Sequence, residues 1–322
     1  MTRYVWAGGV GSYTDPAQWA GGVVPFWDYG STVVIAGGAA TLQDVEPNNM
    51  TVEIGDPSSY PRLVLDNAAL GPGLDVRVTS AVPASQYSGV GAVVVVQGYD
   101  TNYGTVETTH DASAAGFSAL DFAIQPYSQL NNEGTISADA TISAATGSGE
   151  ALLTFENGDN LTPGVLSNDG RINILNDTNA SIDMTTIGTG VITLARTAGA
   201  EPNAFPTLSF STGQVAASQS VALEAGQLTL FQQLRDPQSF QGVISEWSPG
   251  AQVYLPGQAA TSLQFTQTTA TQGDLVVSSD NGGFPYAYDL KVAGQHTTDQ
   301  FSFQLLPGRF GSTMGTSVSI TA

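Results

Sequence analysis

The chain has 322 residues, of which 41% are hydrophobic and only 11% are charged, so it can bury a large core and is not disordered by composition. Its 28 acidic residues outnumber 8 basic ones and give a formal net charge of −20, which excludes the Lys and Arg clusters that bind nucleic acids and anionic membranes. The absence of cysteine favours an extracellular bacterial protein that avoids disulfides, with a cytosolic protein as the alternative.

The first 35 residues combine aromatic residues with glycines. From Trp6 to Pro25 the sequence reads W-x-G-G-x-G-x-Y-x-D-P-x-x-W-x-G-G-x-V-P, and an apolar strand follows at 32–35. This pattern resembles the opening of bacterial autotransporter-like and secreted β-helix proteins, although Tyr13 stands where that family more often has tryptophan. The resemblance implies a right-handed parallel β-helix whose amino-terminal end is covered by Trp6 and Trp19, since a terminal coil otherwise exposes its apolar interior.

The amino terminus has no apolar stretch of signal-peptide length, and no segment approaches the length of a transmembrane span. We therefore expect no membrane insertion and export without a cleaved amino-terminal signal.

A seven-residue phrase recurs in the centre of the chain. It reads L-N-N-E-G-T-I at 130–136 and L-S-N-D-G-R-I at 166–172, and a weaker copy, D-T-N-Y-G-T-V, lies at 100–106. Asn and Gly tolerate positive φ, so we interpret each copy as a turn followed by a β-branched residue that starts a strand. Recurrence every 30–36 residues, with no helical segment between copies, predicts a β-solenoid; a pair of β-sandwiches is the alternative.

Short alternating segments bounded by Gly, Pro or Asn predict further strands, and we expect coils of roughly 20 residues. The predicted strands include 39–42, 51–54, 62–66, 75–78, 92–96, 152–155, 172–174, 181–184 and 191–194.

From residue 226 the pattern changes. Segments such as 240–257, 273–277 and 288–294 resemble the carboxy-terminal module of proteobacterial type I-secreted β-rich proteins, with Ala251 in place of the aspartate that follows Gly250 in that family. We therefore divide the chain into a cap at 1–35, a β-helix at 36–225 and a β-rich module at 226–322.

Paired carboxylates deserve weighing because some β-helix proteins cleave polysaccharides, and glycoside cleavage needs two carboxyl groups roughly 5–10 Å apart. Arg171 is the only base near a carboxylate cluster. In a chain with 28 acids such pairs arise freely, so we expect solvated turn residues, no catalytic site and no enzyme. The candidate pairs are Asp111 with Asp121, Glu156 with Asp159, and Asp169 with Asp183.

Histidines and oxygen clusters are the remaining candidates for metal or acid–base chemistry. His110 and His296 are the only histidines, and we expect both on the surface or in loops, which argues against a zinc site. No cofactor is expected, and calcium is the only ion for which clustered oxygens offer a site. The two clusters, which ordinary polar turns would also explain, are Glu156, Asn157, Asp159 and Asn160, and then Asn176, Asp177 and Asn179.

The function we predict is that of an extracellular or cell-surface structural protein that self-assembles as a filament, matrix or surface-layer subunit, or acts as an adhesin. Its expected partner is itself, since a solenoid has two ends and head-to-tail contacts that do not close give filaments. The alternative is a carbohydrate-active protein, either a polysaccharide lyase or hydrolase or a sugar-binding module. Aromatic residues lined up on one face would favour that alternative, and the candidates are Tyr99, Tyr103, Tyr127 and Trp247.

Overall fold

The computed structural model describes residues 2–25, 30–55, 61–78, 81–82, 92–111, 116–141, 149–157, 164–198, 200, 204–231, 239–280, 285–306 and 315–321. In these ranges the chain forms 31 β-strands and two single-turn 3-10 segments, Pro16–Gln18 and Thr298–Gln300, and no α-helix. Neither helical segment is long and apolar enough to cross a membrane.

The strands follow one another at short intervals. The first sixteen are β1 (Arg3–Val5), β2 (Val10–Ser12), β3 (Thr32–Ile35), β4 (Ala39–Gln43), β5 (Thr51–Ile54), β6 (Arg62–Asp66), β7 (Ala69–Leu70), β8 (Asp75–Val78), β9 (Ala81–Val82), β10 (Ala92–Gln97), β11 (Tyr99–Asn102), β12 (Thr105–Asp111), β13 (Gly116–Ile124), β14 (Gln129–Asn132), β15 (Thr135–Thr141) and β16 (Gly149–Asn157). The others are β17 (Val165–Asn168), β18 (Arg171–Asn176), β19 (Thr178–Ile182), β20 (Thr185–Ile187), β21 (Val191–Ala195), β22 (Thr207–Phe210), β23 (Ser220–Leu223), β24 (Gln227–Leu230), β25 (Val243–Ser245), β26 (Gln252–Leu255), β27 (Ala260–Thr269), β28 (Gln272–Asp280), β29 (Pro285–Ala293), β30 (Phe301–Leu306) and β31 (Gly315–Ile320).

Three long sheets organise these strands. Sheet 1 has the order β1-β3-β5-β8-β12-β15-β18-β21-β23-β25-β29-β28-β27, sheet 2 runs β2-β4-β6-β10-β13-β16-β19-β22-β24-β26-β31-β30, and sheet 3 is β7-β11-β14-β17-β20. Apart from β9, which pairs antiparallel with β13, each strand up to β26 pairs in parallel with the strand one coil away, so the chain winds as a β-helix. The predicted all-β parallel solenoid is confirmed, and the β-sandwich alternative, which requires antiparallel sheets, is wrong.

The coils differ in length. Thr32 of β3 pairs with Thr51 of β5, 19 positions on, whereas Thr135 of β15 pairs with Arg171 of β18, 36 positions on. The expectation of about 20 residues in every coil is therefore wrong. The spacings of 30 and 36 residues between copies of the repeated phrase are the lengths of two individual coils.

The core is built from columns of apolar residues that point inward from each sheet. In sheet 1 the central column is β-branched throughout, which suits extended backbone, and every member is at most 3% exposed. In sheet 2 the rings of Phe122 and Phe155 stack at 4.9 Å between neighbouring coils. The sheet 1 column runs Val33, Val52, Val76, Val106, Ile136, Ile172, Ile192, Val221, Ile244 and Val292.

The asparagines of the repeated phrase form a buried ladder in sheet 3. Asn102 Nδ2 donates to Asn132 Oδ1 at 2.8 Å, and Asn132 Nδ2 donates to Asn168 Oδ1 at 2.8 Å. Our interpretation of these residues as positive-φ turns is wrong, because none of the three has a positive φ. They recur because a buried amide needs both a donor and an acceptor, and the next coil supplies them.

The glycines of the phrase are required by the close approach of successive coils. A Cβ on Gly134 would lie 2.2 Å from the carbonyl oxygen of Gly104, and a Cβ on Gly170 would lie 2.1 Å from that of Gly134. Neither Gly134 nor Gly170 adopts the left-handed conformation, so the stacking distance rather than φ excludes a side chain here.

Aromatic side chains close the amino-terminal end of the core. Trp6 and Trp19 are buried and pack edge to face at 5.1 Å, and Tyr13 packs on Trp19 at 4.9 Å. The backbone at 18–20 lies along the free edge of β1, where Ala20 N donates to Val5 O at 2.9 Å. That edge of sheet 1 is therefore covered.

At the other end the pairing changes from parallel to antiparallel. Parallel stacking continues through β25 and β26, and the chain then forms the antiparallel meander β27-β28-β29 and the hairpin β30-β31. The change falls between Leu255 and Ala260, inside the segment 226–322 that the sequence marks off.

Candidate functional site

The outer face of sheet 2 carries an array of uncharged polar side chains. Residues alternate between the two faces of a strand, so Leu208 of β22 and Leu228 of β24 point into the core while their neighbours point outward. Parallel register aligns these outward residues in columns with one residue per coil, about 4.8 Å apart. One column is Asn179, Thr207, Gln227 and Gln252, and the other is Thr154, Ser181, Ser209, Thr229 and Tyr254.

A groove of about 370 Å³ lies over these columns. We call it the polar groove; its lining comprises Asn179, Thr207, Leu208, Ser209, Gln227, Thr229, Phe231, Tyr254 and Leu306. A second depression of about 260 Å³ shares Asn179 and Ser209 with it and extends the recess to Thr154.

Two aromatic side chains, together with Leu208 and Leu306, form the apolar part of the polar groove. Phe231 follows β24 directly and is 42% exposed. The ring of Tyr254 lies over Gly315 of β31, where a Cβ would be only 2.3 Å from Tyr254 Oη and 2.5 Å from its Cε2. The missing side chain at Gly315 thus makes room for the tyrosine ring to rest on the backbone of β31.

One hydrogen bond within a column and one between the two columns each hold one end of an amide side chain in the polar groove. Thr207 Oγ1 donates to Asn179 Oδ1, and Gln227 Nε2 donates to Thr229 Oγ1 at 2.9 Å. With the described residues, Asn179 Nδ2 and Gln227 Oε1 form no hydrogen bond. The groove therefore presents an oriented donor and an oriented acceptor to a ligand.

Three carboxylates gather beside the second depression. Thr154 Oγ1 donates to Asp121, and Asp183 accepts from Thr212 Oγ1 at 2.5 Å and Ser211 Oγ at 3.2 Å. Burial, together with repulsion from Asp121 and Asp183, raises the pKa of Glu156. Among the described residues, the lining of the polar groove consists of hydroxyl, amide and apolar side chains and includes no carboxylate, histidine or cation.

The predicted carboxylate pairs are distributed over several elements, and one of them is only partly described. Asp111 ends β12 in sheet 1, whereas Asp121 lies on the outer face of β13 in sheet 2. Asp159, the partner predicted for Glu156, lies outside the described residues. The neighbours of Glu156 are instead Asp121 and Asp183.

The third pair is split between two corners of the coil. Asp169 follows β17 and accepts hydrogen bonds from Thr189 N at 2.8 Å and Thr189 Oγ1 at 2.9 Å, whereas Asp183 follows β19. Arg171 opens β18 with its side chain exposed, and it forms no ion pair with the part of the chain that the structure describes.

The two histidines are far apart in the fold. The side chain of His110, in β12, lies outside the described part of the structure. His296 follows β29 and is half-buried, with its ring edge-on to Phe265 and Phe301 at 5.7 and 5.5 Å and its Nε2 at 3.0 Å from Ala293 O.

Side chains of the two predicted calcium clusters form hydrogen bonds with other residues of the protein. Asn157 donates to Asp183 O and accepts from Gly164 N, both at 2.8 Å, while Asp159 and Asn160 lie outside the described residues. In the other cluster Asn176 bonds to Asp139 and Thr197, Asp177 accepts from Phe205 N, and Asn179 faces the polar groove. Among the described residues no group of three or more acids and histidines is arranged to hold a metal ion.

The aromatic candidates do not form a single platform. Tyr99, Tyr103 and Tyr127 are exposed around β11 and β14 of sheet 3. Trp247 is buried, donates to Ala251 O at 3.1 Å and packs against Phe301, so it belongs to the core.

Comparison with known proteins does not assign this chain to a family. A scan against protein-family models finds no match, and a search of curated proteins finds none either. The resemblance to secreted β-helix proteins therefore stays a prediction.

Sequence reasoning missed the residues of the polar groove. Phe231 and Tyr254 lie 23 positions apart and their partners in the columns are common Ser, Thr, Asn and Gln residues, so no compact motif marks the site. A signal was present in the alternation of N-x-S, T-x-S and Q-x-T at 179–181, 207–209 and 227–229, where an apolar residue separates two polar ones.

Proposed function

We propose that this protein is a non-enzymatic extracellular structural protein, a β-helical rod that associates with copies of itself in a filament, matrix or surface layer, or in adhesion. The observation that carries the proposal is the uncharged edge strand β30 at the carboxy-terminal end of sheet 2. The scarcity of charged residues and the resemblance of residues 6–25 to secreted β-helix proteins support an extracellular location.

β30 lacks the features that natural proteins use to protect a sheet edge. It is the last strand of sheet 2, and its sequence, F-S-F-Q-L-L, has no charged residue and no proline. Phe303 and Leu305 are 37% and 38% exposed on the face that Phe301 uses for the core. Among the described residues no strand pairs with the outer edge of β30, and such an edge beside exposed apolar side chains is suited to pairing with another strand.

The corresponding edge of sheet 1 is partly blocked. β27 is bulged near Ser262 and near Thr269, and Thr298 Oγ1 bonds to both Phe265 N at 3.1 Å and Phe265 O at 3.3 Å. Both devices oppose strand addition, so β30 is the better candidate for the contact.

The complementary edge is β2, the first strand of sheet 2. It carries Val10, which is 79% exposed, whereas the first strand of sheet 1 is covered by the backbone at 18–20. Pairing β2 of one copy with β30 of the next would continue sheet 2 from copy to copy. Such a heterologous contact does not close and gives a filament.

The test is light scattering after size-exclusion chromatography, together with negative-stain electron microscopy, with and without calcium. We expect regular polymers, and we expect the double variant Phe303→Lys/Leu305→Lys to be monomeric because it places two charges on the apolar side of the edge. The matched control is Ser302→Lys/Gln304→Lys, which adds the same charge on the opposite face of the same strand.

Monomers of the unmodified protein in every condition would refute the self-assembly proposal. Polymers that persist in the Phe303/Leu305 variant would refute the assignment of β30.

A further inference from the structure

The polar groove combines the two kinds of contact that a sugar ring needs. Sugar hydroxyls both donate and accept hydrogen bonds, and the groove offers the Nδ2 donor of Asn179, the Oε1 acceptor of Gln227 and several hydroxyls. The apolar face of a sugar ring packs on aromatic side chains, and Phe231 and Tyr254 provide them in the same recess.

We propose that the polar groove binds a neutral oligosaccharide. The described residues of its lining carry no cation to pair with a carboxylate or sulfate, and the neighbouring Asp121, Glu156 and Asp183 would repel an anionic glycan. The formal net charge of −20 acts in the same direction at longer range. A ligand without charge is not repelled by the three carboxylates or by the net charge, and it can still form hydrogen bonds with the amides and hydroxyls of the groove.

The shape of the recess favours a ligand of several sugar units over a single one. The volume of about 370 Å³ lies within the range of roughly 300–1,000 Å³ that is usual for small-ligand sites. The adjoining depression of about 260 Å³ prolongs it along sheet 2, over residues that repeat once per coil. Successive coils can therefore contact successive sugar units.

Binding in the polar groove does not depend on self-assembly. Leu306 of β30 lines the groove from the face that it shares with Ser302 and Gln304, whereas Phe303 and Leu305 are on the opposite face. The experiment can therefore use the monomeric Phe303→Lys/Leu305→Lys variant, so that a failure of one proposal is distinguishable from a failure of the other.

The probes are neutral cello-, malto-, xylo- and chito-oligosaccharides of four to six units, with oligogalacturonate as the anionic comparison. Binding is measured by isothermal titration calorimetry and by saturation-transfer NMR. We expect at least one neutral series to bind with a Kd between about 10 μM and 1 mM. Oligogalacturonate should bind at least about tenfold more weakly.

Two groove variants and one control locate the site. Phe231→Ala and Gln227→Ala should each weaken binding about tenfold or more, and Phe231 is exposed enough to be replaced without opening the core. Tyr99→Ala, an exposed aromatic on sheet 3, should bind as the unmodified protein does.

Three results would overturn the proposal. One is the absence of binding to all four neutral series at about 5 mM ligand, a concentration above the weakest expected Kd. Another is equal or tighter binding of oligogalacturonate. The third is loss of binding in Tyr99→Ala while both groove variants, shown by circular dichroism to be folded, bind normally.

Discussion

Replacing Asn132 by alanine tests whether the buried amide ladder stabilises the stacking of coils. Asn132 is fully buried at the centre of the ladder. Its side chain accepts from Asn102 Nδ2 at 2.8 Å and donates to Asn168 Oδ1 at 2.8 Å and Arg171 O at 3.2 Å. Alanine removes all three contacts at once.

The size of the effect follows from the groups left behind. Asn102 Nδ2 keeps a long contact to Thr135 O at 3.4 Å, but Asn168 Oδ1 and Arg171 O lose the donor that Asn132 supplies. Arg171 O is a strand carbonyl that keeps its backbone partner in sheet 1, so the orphaned acceptor is Asn168 Oδ1. A buried polar group left unsatisfied costs about 1–3 kcal/mol, so we expect Asn132→Ala to lower the free energy of unfolding by about 2 kcal/mol.

The assay is urea unfolding followed by far-UV circular dichroism, with the m-value compared between variants to verify that the same structure unfolds. Glu133→Ala is the matched control, because Glu133 is adjacent and exposed, and its loss should change stability by less than about 0.5 kcal/mol. The double variant Asn132→Ala/Asn168→Ala should cost less than the sum of the single changes, since the orphaned acceptor is removed with its partner. A cost for Asn132→Ala below about 1 kcal/mol would refute the reasoning.

Three further predictions concern packing, pH and salt. Gly134→Ala should lower the free energy of unfolding in urea by at least about 3 kcal/mol, because the new Cβ would lie 2.2 Å from Gly104 O. The control Gly21→Ala, at a φ of +86 with open space around it, should lower it by about 1 kcal/mol. Equal losses of stability would contradict the packing argument. Burial raises the pKa of Asp100 from 3.8 to about 6, so the folded state binds the proton of this carboxyl more tightly than the unfolded state does. The free energy of unfolding should therefore fall by at most about 3 kcal/mol as pH rises from 4 to 6. Asp100→Asn should remove that fall. Raising the salt concentration from about 10 mM to about 150 mM should increase self-association measured by light scattering, because salt screens the repulsion between copies of net charge −20. Unchanged self-association would show that this charge does not oppose the contact between copies.

The strands could be predicted because each is a short alternating segment between turn residues. The segments 51–54, 62–66 and 75–78 coincide with β5, β6 and β8, since alternation at these places reflects one buried and one exposed face. The sequence predicts a strand at 181–184, but β19 spans 178–182, because polar Thr178 and Asn179 conceal the start of the strand.

The polar groove could not be predicted because it depends on register between coils. Thr207 and Gln227 are neighbours across the ladder although they lie 20 positions apart, whereas Asn179 and Thr207, also neighbours, lie 28 apart. With coils of unequal length, no fixed period relates the residues of a column. Only the finished ladder brings Phe231 and Tyr254 to the same recess.

The end of the repeated phrase shows how the fold outlasts the sequence repeat. After Asn168 the next position of the ladder is Gly188, which has a φ of +102 and no side chain to continue the amide column. Gln219, one coil further, reaches back into this space, where its Nε2 donates to Asn168 O at 2.6 Å and its Oε1 accepts from Asn168 Nδ2 at 3.2 Å. A longer amide from a more distant coil thus satisfies the last asparagine. What recurs along the axis is the pairing of buried polar groups, and the residue that provides it can change once the coil length changes.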